Sequence, residues 1–345
     1  MLGQDRGAKG GIASVIDNYF SSDLIKEHHV VHIPTSTGKN VLFRFIKALW
    51  TFIFFLIFRK VDIVHLHSAS RRSFYRKSVF VLLSKLFRKK VIFHLHGSEF
   101  NIFFHQESGR FKKYYIKKML GLSDVLITLS SQWKSDLEKI VGIEKDIRVL
   151  YNGIPFPEKE FKPDDNEVFT VLFMGRITER KGVYDLIRLA EKLIPHFSYL
   201  RFVLAGDGEI DKLSSMVAER GWEHYFAMPG WVTDKAFYYS KADVFILPSY
   251  SETLPVSLLE AASFSLPIIA TSVGGVSEVI EDGLSGYLVK PGDVEAMSKR
   301  MTELMNHPEL RKKMGQKAYE KVRSLFEVNV IVEQLGAIYQ ELAGR

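Results

Sequence analysis

The chain contains no cysteine among its 345 residues. Neither a disulfide nor a thiolate metal site can therefore hold the fold, which fits a reducing, cytoplasmic location. The first twenty residues have no continuous apolar core, so no signal peptide is read there. Long apolar runs are also scarce. The best, Ala48 to Phe58 (ALWTFIFFLIF), has eleven residues, and a membrane span needs ~20. It reads as a buried helix or one that dips into a surface. No low-complexity segment, short repeat or nucleic-acid motif is present, so nucleic acid ranks last among partners.

What is present is an ordinary globular balance, 46% hydrophobic and 25% charged. The length implies two domains, since single cores stop growing near ~250–300 residues. Charge is unevenly divided. Residues 1–160 hold 26 Lys and Arg against 14 Asp and Glu, whereas residues 161–345 hold 21 against 26. A basic first half points to an anionic partner: lipid head groups, lipid pyrophosphates or, last, nucleic acid.

Short continuous apolar runs alternate with helical patterns throughout, as expected for parallel strands covered on both faces. In the first half these runs are His29–Ile33, Val61–Leu66, Val91–Leu95, Val125–Thr128 and Ile147–Leu150. In the second they are Val168–Met174, Arg201–Ala205, Tyr225–Met228, Val244–Leu247 and Ile268–Thr271. Between them, Ile12, Val15, Ile16, Tyr19 and Phe20, and later Val183, Leu186, Ile187, Ala190 and Ile194, repeat at helical spacing. The alternation makes two sets of βαβ units. The segment NGIPFPEKEFKPDDN, residues 152–166, is a linker by its prolines, Asn-Gly pair and charges. The expected division is an N-terminal domain over 1–155, a C-terminal domain over 156–325 and a final amphipathic helix over 326–345. Only Met1 and Leu2 precede Gly3, so most of a first strand is expected to be missing.

Three segments carry chemistry. Gly10 and Gly11 lead straight into a helix pattern, where backbone N–H groups can approach a phosphate. A plain turn is the competing reading. The loop Gly175-Arg176-Ile177-Thr178-Glu179-Arg180-Lys181-Gly182 follows a strand. There Arg176 can fork onto phosphate oxygens and Lys181 adds a point charge. The alternative is a solvated basic loop, and as an exposed charge Lys181 would contribute little to stability. Third, Glu252-Thr253-Leu254-Pro255-Val256 precedes a helix carrying Glu260. The two carboxylates would be staggered by a little over a helical turn. N–H groups at Leu254 and Val256 would face outward for an anion.

In this order the motifs resemble family 4 of the retaining GT-B glycosyltransferases, across nearly the whole chain. The resemblance rests on Gly10-Gly11, the Gly-Arg-x4-Lys-Gly loop at 175–182, Ala205-Gly206-Asp207-Gly208, the Glu-x7-Glu pair at 252 and 260, Pro267-Ile268-Ile269-Ala270-Thr271, and Gly274-Gly275-Val276-Ser277-Glu278 with Asp282-Gly283 and Gly286. It implies two Rossmann-like domains facing across a cleft, with the last helix crossing back to the first domain. Arg176 and Lys181 would neutralise the donor diphosphate. Glu260 would bind ribose hydroxyls, and Glu252 would hold the donor sugar. Gly10 and Gly11 would close over the phosphates. Gly175, Thr253, Leu254, Pro255 and Val256 would complete the donor loop, and His96 would touch donor or acceptor. No metal or other cofactor and no protein nucleophile is expected. Two positions depart from the family, which usually has glycine where this chain has Thr253 and Ser265.

Two further features stand outside that scheme. His65, His67, His94 and His96 end two apolar strands in pairs at i, i+2. Zinc binding is one reading and packed, hydrogen-bonded imidazoles the other. Residues 43–60 and 103–118 mix aromatic and basic side chains, which suits either anionic lipid heads or ordinary amphipathic helices.

The expectation is thus a bacterial-type, metal-independent, retaining transfer from a nucleotide-diphosphate sugar to a glycan or lipid-linked acceptor in polysaccharide synthesis. Its place would be the cytoplasm or the inner face of the cell membrane. A catalytically inactive GT-B subunit binding a partner or glycolipid, and a zinc hydrolase, are the alternatives.

Overall fold

A computed structural model describes residues 1–22, 24–36, 40–157 and 168–344. The described chain forms two compact units. One comprises Met1–Pro155 with Phe326–Arg345, the other Phe156–Leu325. Residues 158–166 of the linker lie outside the described residues.

The first unit holds strands β1 (Leu2–Gln4), β2 (Ile33–Ser36), β3 (Ile63–Ser68), β4 (Lys90–Leu95), β5 (Val125–Thr128) and β6 (Ile147–Val149). Its helices are α1 (Gly11–Phe20), α2 (Leu24–His28), α3 (Val41–Phe58), α4 (Arg72–Leu86), α5 (Phe100–His105), α6 (Arg110–Leu122) and α7 (Ser131–Val141). The second unit holds β7 (Phe169–Met174), β8 (Leu200–Ala205), β9 (Phe226–Gly230), β10 (Val244–Leu247), β11 (Ile268–Thr271) and β12 (Tyr287–Val289). Its helices are α8 (Val183–Leu193), α9 (Ile210–Ala218), α10 (Lys235–Ser240), α11 (Val256–Ser263), α12 (Val276–Val279), α13 (Val294–Asn306) and α14 (Pro308–Phe326). Helix α15 (Val328–Ala343) returns to the first unit, where it packs on α1, α2 and β3.

Each unit is one six-stranded sheet, ordered β2-β1-β3-β4-β5-β6 in the first and β12-β11-β10-β7-β8-β9 in the second, with every pairing parallel. The central strands are mainly apolar because both faces are covered; β5, β10 and β11 are buried at every residue. In the first unit, α3, α4 and α6 stand side by side over the sheet. Phe45 and Phe52 of α3 meet the Phe80 ring of α4 edge-on, at 5.7 and 5.2 Å.

One strand, β12, escaped the sequence reading, and the first strand is the stub that the sequence left. β1 is only three residues long, yet it sits between β2 and β3 and pairs with both. β12 is equally short, too brief to show a pattern. The run His29–Ile33 is corrected: the strand begins where that run ends, at Ile33, and the preceding His29 has φ +48°. Of the two readings of Ala48–Phe58, a buried helix or one that dips into a surface, the first is corrected. α3 starts at Val41 and only Ala48, Phe52 and Leu56 are buried.

Ser265 ends α11. Its N–H donates to Ala262 O at 2.9 Å and Leu266 N–H donates to Ala261 O at 3.3 Å. That is the paired closure in which the residue after the cap turns left-handed, and Ser265 has φ +57°. A Cβ in that region costs about 1–2 kcal/mol. Ser265→Gly should therefore stabilise the second unit by about 0.5–1 kcal/mol, the strain relief less the added unfolded-state entropy. Urea denaturation checks this, and an unchanged or lowered midpoint would contradict the strain.

Candidate active site

The loops that follow β7, β8, β10 and β11 in the second unit are stacked backbone against backbone. After β7, Ile177 donates its N–H to Asp207 O at 2.7 Å and accepts from Glu209 N–H at 2.8 Å, which joins it to the loop after β8. The chain then makes a 3-10 turn, Glu179–Lys181, closed by Gly182 at φ +71°. A Cβ on Gly182 would lie 2.0 Å from Pro248 O, so only glycine lets this turn lie on the loop after β10. The two are laced together: Tyr250 N–H donates to Arg180 O at 2.8 Å and the Arg180 guanidinium to Ser251 O at 2.7 Å. From the other side, Gly275 N–H donates to Thr253 O at 2.6 Å. A Cβ on Gly274 would come within 2.0 Å of Glu252 O.

This stacking delivers Lys181 and Glu252 to each other. Nζ lies 2.5 Å from Oε1, with the side chains 13% and 7% exposed. The expectation of a mobile, exposed lysine is corrected, because the pair is largely desolvated. Arg176 stands one loop away. Its side chain is 69% exposed and its Nε is 3.8 Å from Asp207 Oδ1. Gly175 is half-buried just before it.

Glu260 is the fifth residue of α11, which Pro255 caps. Its Oε1 takes Lys235 Nζ at 2.5 Å and its Oε2 accepts from Tyr239 OH at 2.9 Å. Burial, and after it the Glu260 carboxylate, holds the Tyr239 hydroxyl well above the usual tyrosine range. Thr253, Leu254 and Pro255 are buried and Val256 is half-buried. Within this unit, then, Lys181 meets Glu252, Arg176 meets Asp207, and Glu260 meets α10. Sequence reasoning missed Lys235 and Tyr239. Their i, i+4 spacing behind the Asp234 cap puts both on one face of α10, yet nothing in the sequence links that face to Glu260.

Gly10, Gly11 and His96 belong to the first unit. Gly10 caps α1 at φ +124°, and both glycines are exposed beyond the end of β1. His96 follows β4 and is buried. Its Nε2 lies 2.9 Å from His67 Nδ1 and its ring stacks on His94 at 4.1 Å between centroids. His65 bridges Tyr339 OH at 2.7 Å and His94 Nδ1 at 3.2 Å. Burial drives all four imidazoles down, His96 to about 3, so they are neutral at physiological pH. Ring nitrogens of His65, His67 and His94 lie within 4.8 Å of one another. Three neutral imidazoles are a ligand set that zinc accepts, and the hydrogen bonds that join His65 to Tyr339 and His94 and join His67 to His96 carry the alternative reading of packed rings.

Residues 156–321 match the family model for group 1 glycosyl transferases, and residues 12–156 match that for glycosyltransferase family 4. The chain is 30% identical over 328 residues to an uncharacterized 41.2 kDa protein in the cps region of Klebsiella pneumoniae, covering 86% of this chain and 87% of that one. It is 25% identical over 291 residues to the putative teichuronic acid biosynthesis glycosyltransferase TuaC of Bacillus subtilis, covering 81% and 70%. Among solved structures, Anabaena HepE in complex with UDP-glucose superposes with a TM-score of 0.79 at 17% identity, covering 99% of each chain. At that identity the likeness shows a shared fold alone.

The desolvated pair predicts a double-mutant result. Lys181→Met strands a buried carboxylate and should cost about 3 kcal/mol, while adding Glu252→Gln should restore part of that loss. Chemical denaturation of the two single variants and the double checks it. Wild-type stability in Lys181→Met would mean that the pair is not desolvated.

Proposed function

The chain belongs to the group 1, family 4 glycosyltransferases of polysaccharide biosynthesis, with the GT-B fold, and on that premise we propose that it moves a sugar, with retention, from a nucleotide-diphosphate donor to a glycan or lipid-linked acceptor. The observation that carries this reading is the Lys181–Glu252 pair, held at 2.5 Å where the central strands β7 and β10 end. Such strand ends are where open α/β sheets take ligands.

Each residue then has a defined task. The departing diphosphate gains one negative charge as the bond between its oxygen and the sugar carbon breaks, and cations must neutralise it. Arg176, exposed and only distantly paired, turns its fork onto the phosphate oxygens. Lys181 is fixed by Glu252, so its charge is already aimed and costs no reorganisation as the bond breaks. Glu252 accepts from a sugar hydroxyl with its remaining lone pairs. Glu260, braced by Lys235 and Tyr239, offers a fixed carboxylate edge to ribose hydroxyls. The exposed N-terminus at Gly10 and Gly11 supplies N–H groups suited to phosphate. His96 is neutral and serves by hydrogen bonding rather than as an acid. These two cationic side chains supply charge neutralisation without a metal, and the donor phosphate itself takes the acceptor proton on the face the sugar leaves. HepE was solved with UDP-glucose, which supports a nucleotide-sugar donor here. The expected place is the cytoplasm, peripheral to the inner face of the membrane.

The clean variant is Arg176→Ala, because its exposed side chain holds little of the fold. A screen of UDP- and GDP-sugars with purified protein and membrane lipids should find one active donor, with transfer unaffected by EDTA. Arg176→Ala should then lower kcat/KM by ~100-fold or more at unchanged Tm. Wild-type turnover in that variant would remove the assigned role, and an inverted product anomer by NMR would remove retention. Calorimetry showing no affinity for either UDP or GDP would favour the inactive subunit.

A further inference from the structure

Helix α3 has two apolar faces. One carries Ala48, Phe52 and Leu56, buried in the core of the first unit with Phe45 and Leu49 packed beside them. The other carries Phe43, Ile46, Trp50, Phe54 and Ile57, all exposed, Trp50 by 70%. At 100° per residue the two stripes are roughly 180° apart. A helix on the surface of a soluble unit normally turns its polar face outward, and an exposed apolar stripe of this length marks a contact. The neighbouring helices expose apolar residues as well, Leu82 and Leu86 on α4 and Phe111 and Tyr114 on α6.

Charge identifies the occupant. Residues 40–122, which span these three helices, contain 17 Lys and Arg and only three carboxylates, Asp62, Glu99 and Glu107; of these cations Lys77 is buried, Arg44 pairs with Asp5, and Lys85 and Lys90 pair with Asp124. Arg71 binds two of the three carboxylates, at 2.7 Å to Glu99 and 2.6 Å to Glu107. Helix α3 has no acidic residue, carries Arg44 and Lys47, and is followed by Arg59 and Lys60. Helix α6 adds Arg110, Lys112, Lys113, Lys117 and Lys118. An apolar strip bordered by cations matches acyl chains below anionic head groups.

We infer that α3 lies in the plane of an anionic lipid bilayer, with Trp50, Phe54 and Ile57 dipped among the acyl chains and the cations around it on the phosphates. The inference deepens the membrane-side acceptor reading by naming the docking surface, and it rests on α3 rather than on donor chemistry. By length and mean hydropathy (18 residues, 2.1) α3 could cross a membrane. It does not, because it is the crossover between β2 and β3, and both of its ends are tied to one sheet. A second copy of the chain fits poorly, since a two-fold contact would set this cationic border against itself.

The test uses the full chain and vesicle co-sedimentation. Binding to phosphatidylcholine vesicles holding about one-third phosphatidylglycerol should exceed binding to phosphatidylcholine alone at least tenfold, and should weaken as salt rises from about 0.1 to 0.5 M. The double variant Phe54→Ser, Ile57→Ser should lose at least tenfold in binding with unchanged circular dichroism. Three results overturn the inference: no binding to the anionic vesicles, wild-type binding by the double variant, or a solution dimer that the double variant dissolves. Calorimetry with UDP and GDP in lipid-free solution reads the donor site separately, so failure of one reading is distinguishable from failure of the other.

Discussion

The approach of bare backbone to bare backbone around Gly182 and Gly274 is what the placement of the Lys181–Glu252 pair depends on. A Cβ at either position would stand 2.0 Å from a carbonyl oxygen, of Pro248 in one case and Glu252 in the other. Without the side chains, the turn after β7 and the loop after β11 both lie flat on the loop after β10. The lysine and the carboxylate that face each other across the first of these contacts then have no solvent to screen them. Their attraction is strong because the loops exclude water, and the loops exclude water because glycine lets them touch. Chain conformation, packing and electrostatics are thus one constraint.

The second carboxylate works differently. Glu252 gains its position from loop packing, whereas Glu260 gains it from a helix. Five residues into α11, it is held by Lys235 and Tyr239 on the adjacent α10. A residue on a capped helix moves little, and two partners on its two oxygens fix its rotamer. The contrast with Arg176 is informative. That guanidinium is exposed and its nearest carboxylate is at 3.8 Å, so it keeps the freedom to reorient. In the proposed transfer, rigid groups suit recognition of a fixed ribose and a fixed sugar, and a mobile cation suits charge that moves as a bond breaks.

Much of this was legible in the sequence, for physical reasons. Mainly apolar runs such as Val125–Thr128 and Ile268–Thr271 appear as strands with the same bounds, because parallel strands buried on both faces favour apolar residues. Glycine spacing marked the loops, since a missing Cβ has few other uses beside a strand end. What the sequence hid was pairing. Lys181 read as an exposed charge because burial of a loop lysine is decided by what packs over it, here residues about seventy positions away. Lys235 and Tyr239 were invisible for the same reason. β1 and β12, at three residues each, are held as strands by their neighbours rather than by any pattern of their own.

Helix α3 shows where hydrophobic periodicity loses its meaning. A period is read from contrast between faces, and α3 offers little, because the face toward the core and the face toward the outside are both apolar. Composition then reads as a buried helix or one that dips into a surface, and the length of the purely apolar stretch reads as too short to span. The buried reading assumes that water is the only solvent on the outer side. Once the crossover between β2 and β3 pins one face to Phe80 and the core, the other face must meet a second apolar phase or remain in water at a cost of roughly 25 cal/mol for each Å². The cations that crowd the same surface would be a poor border for a protein partner like this chain. They are a good one for phosphate head groups, and the two features together make the outer face of α3 intelligible as a surface shaped for lipid.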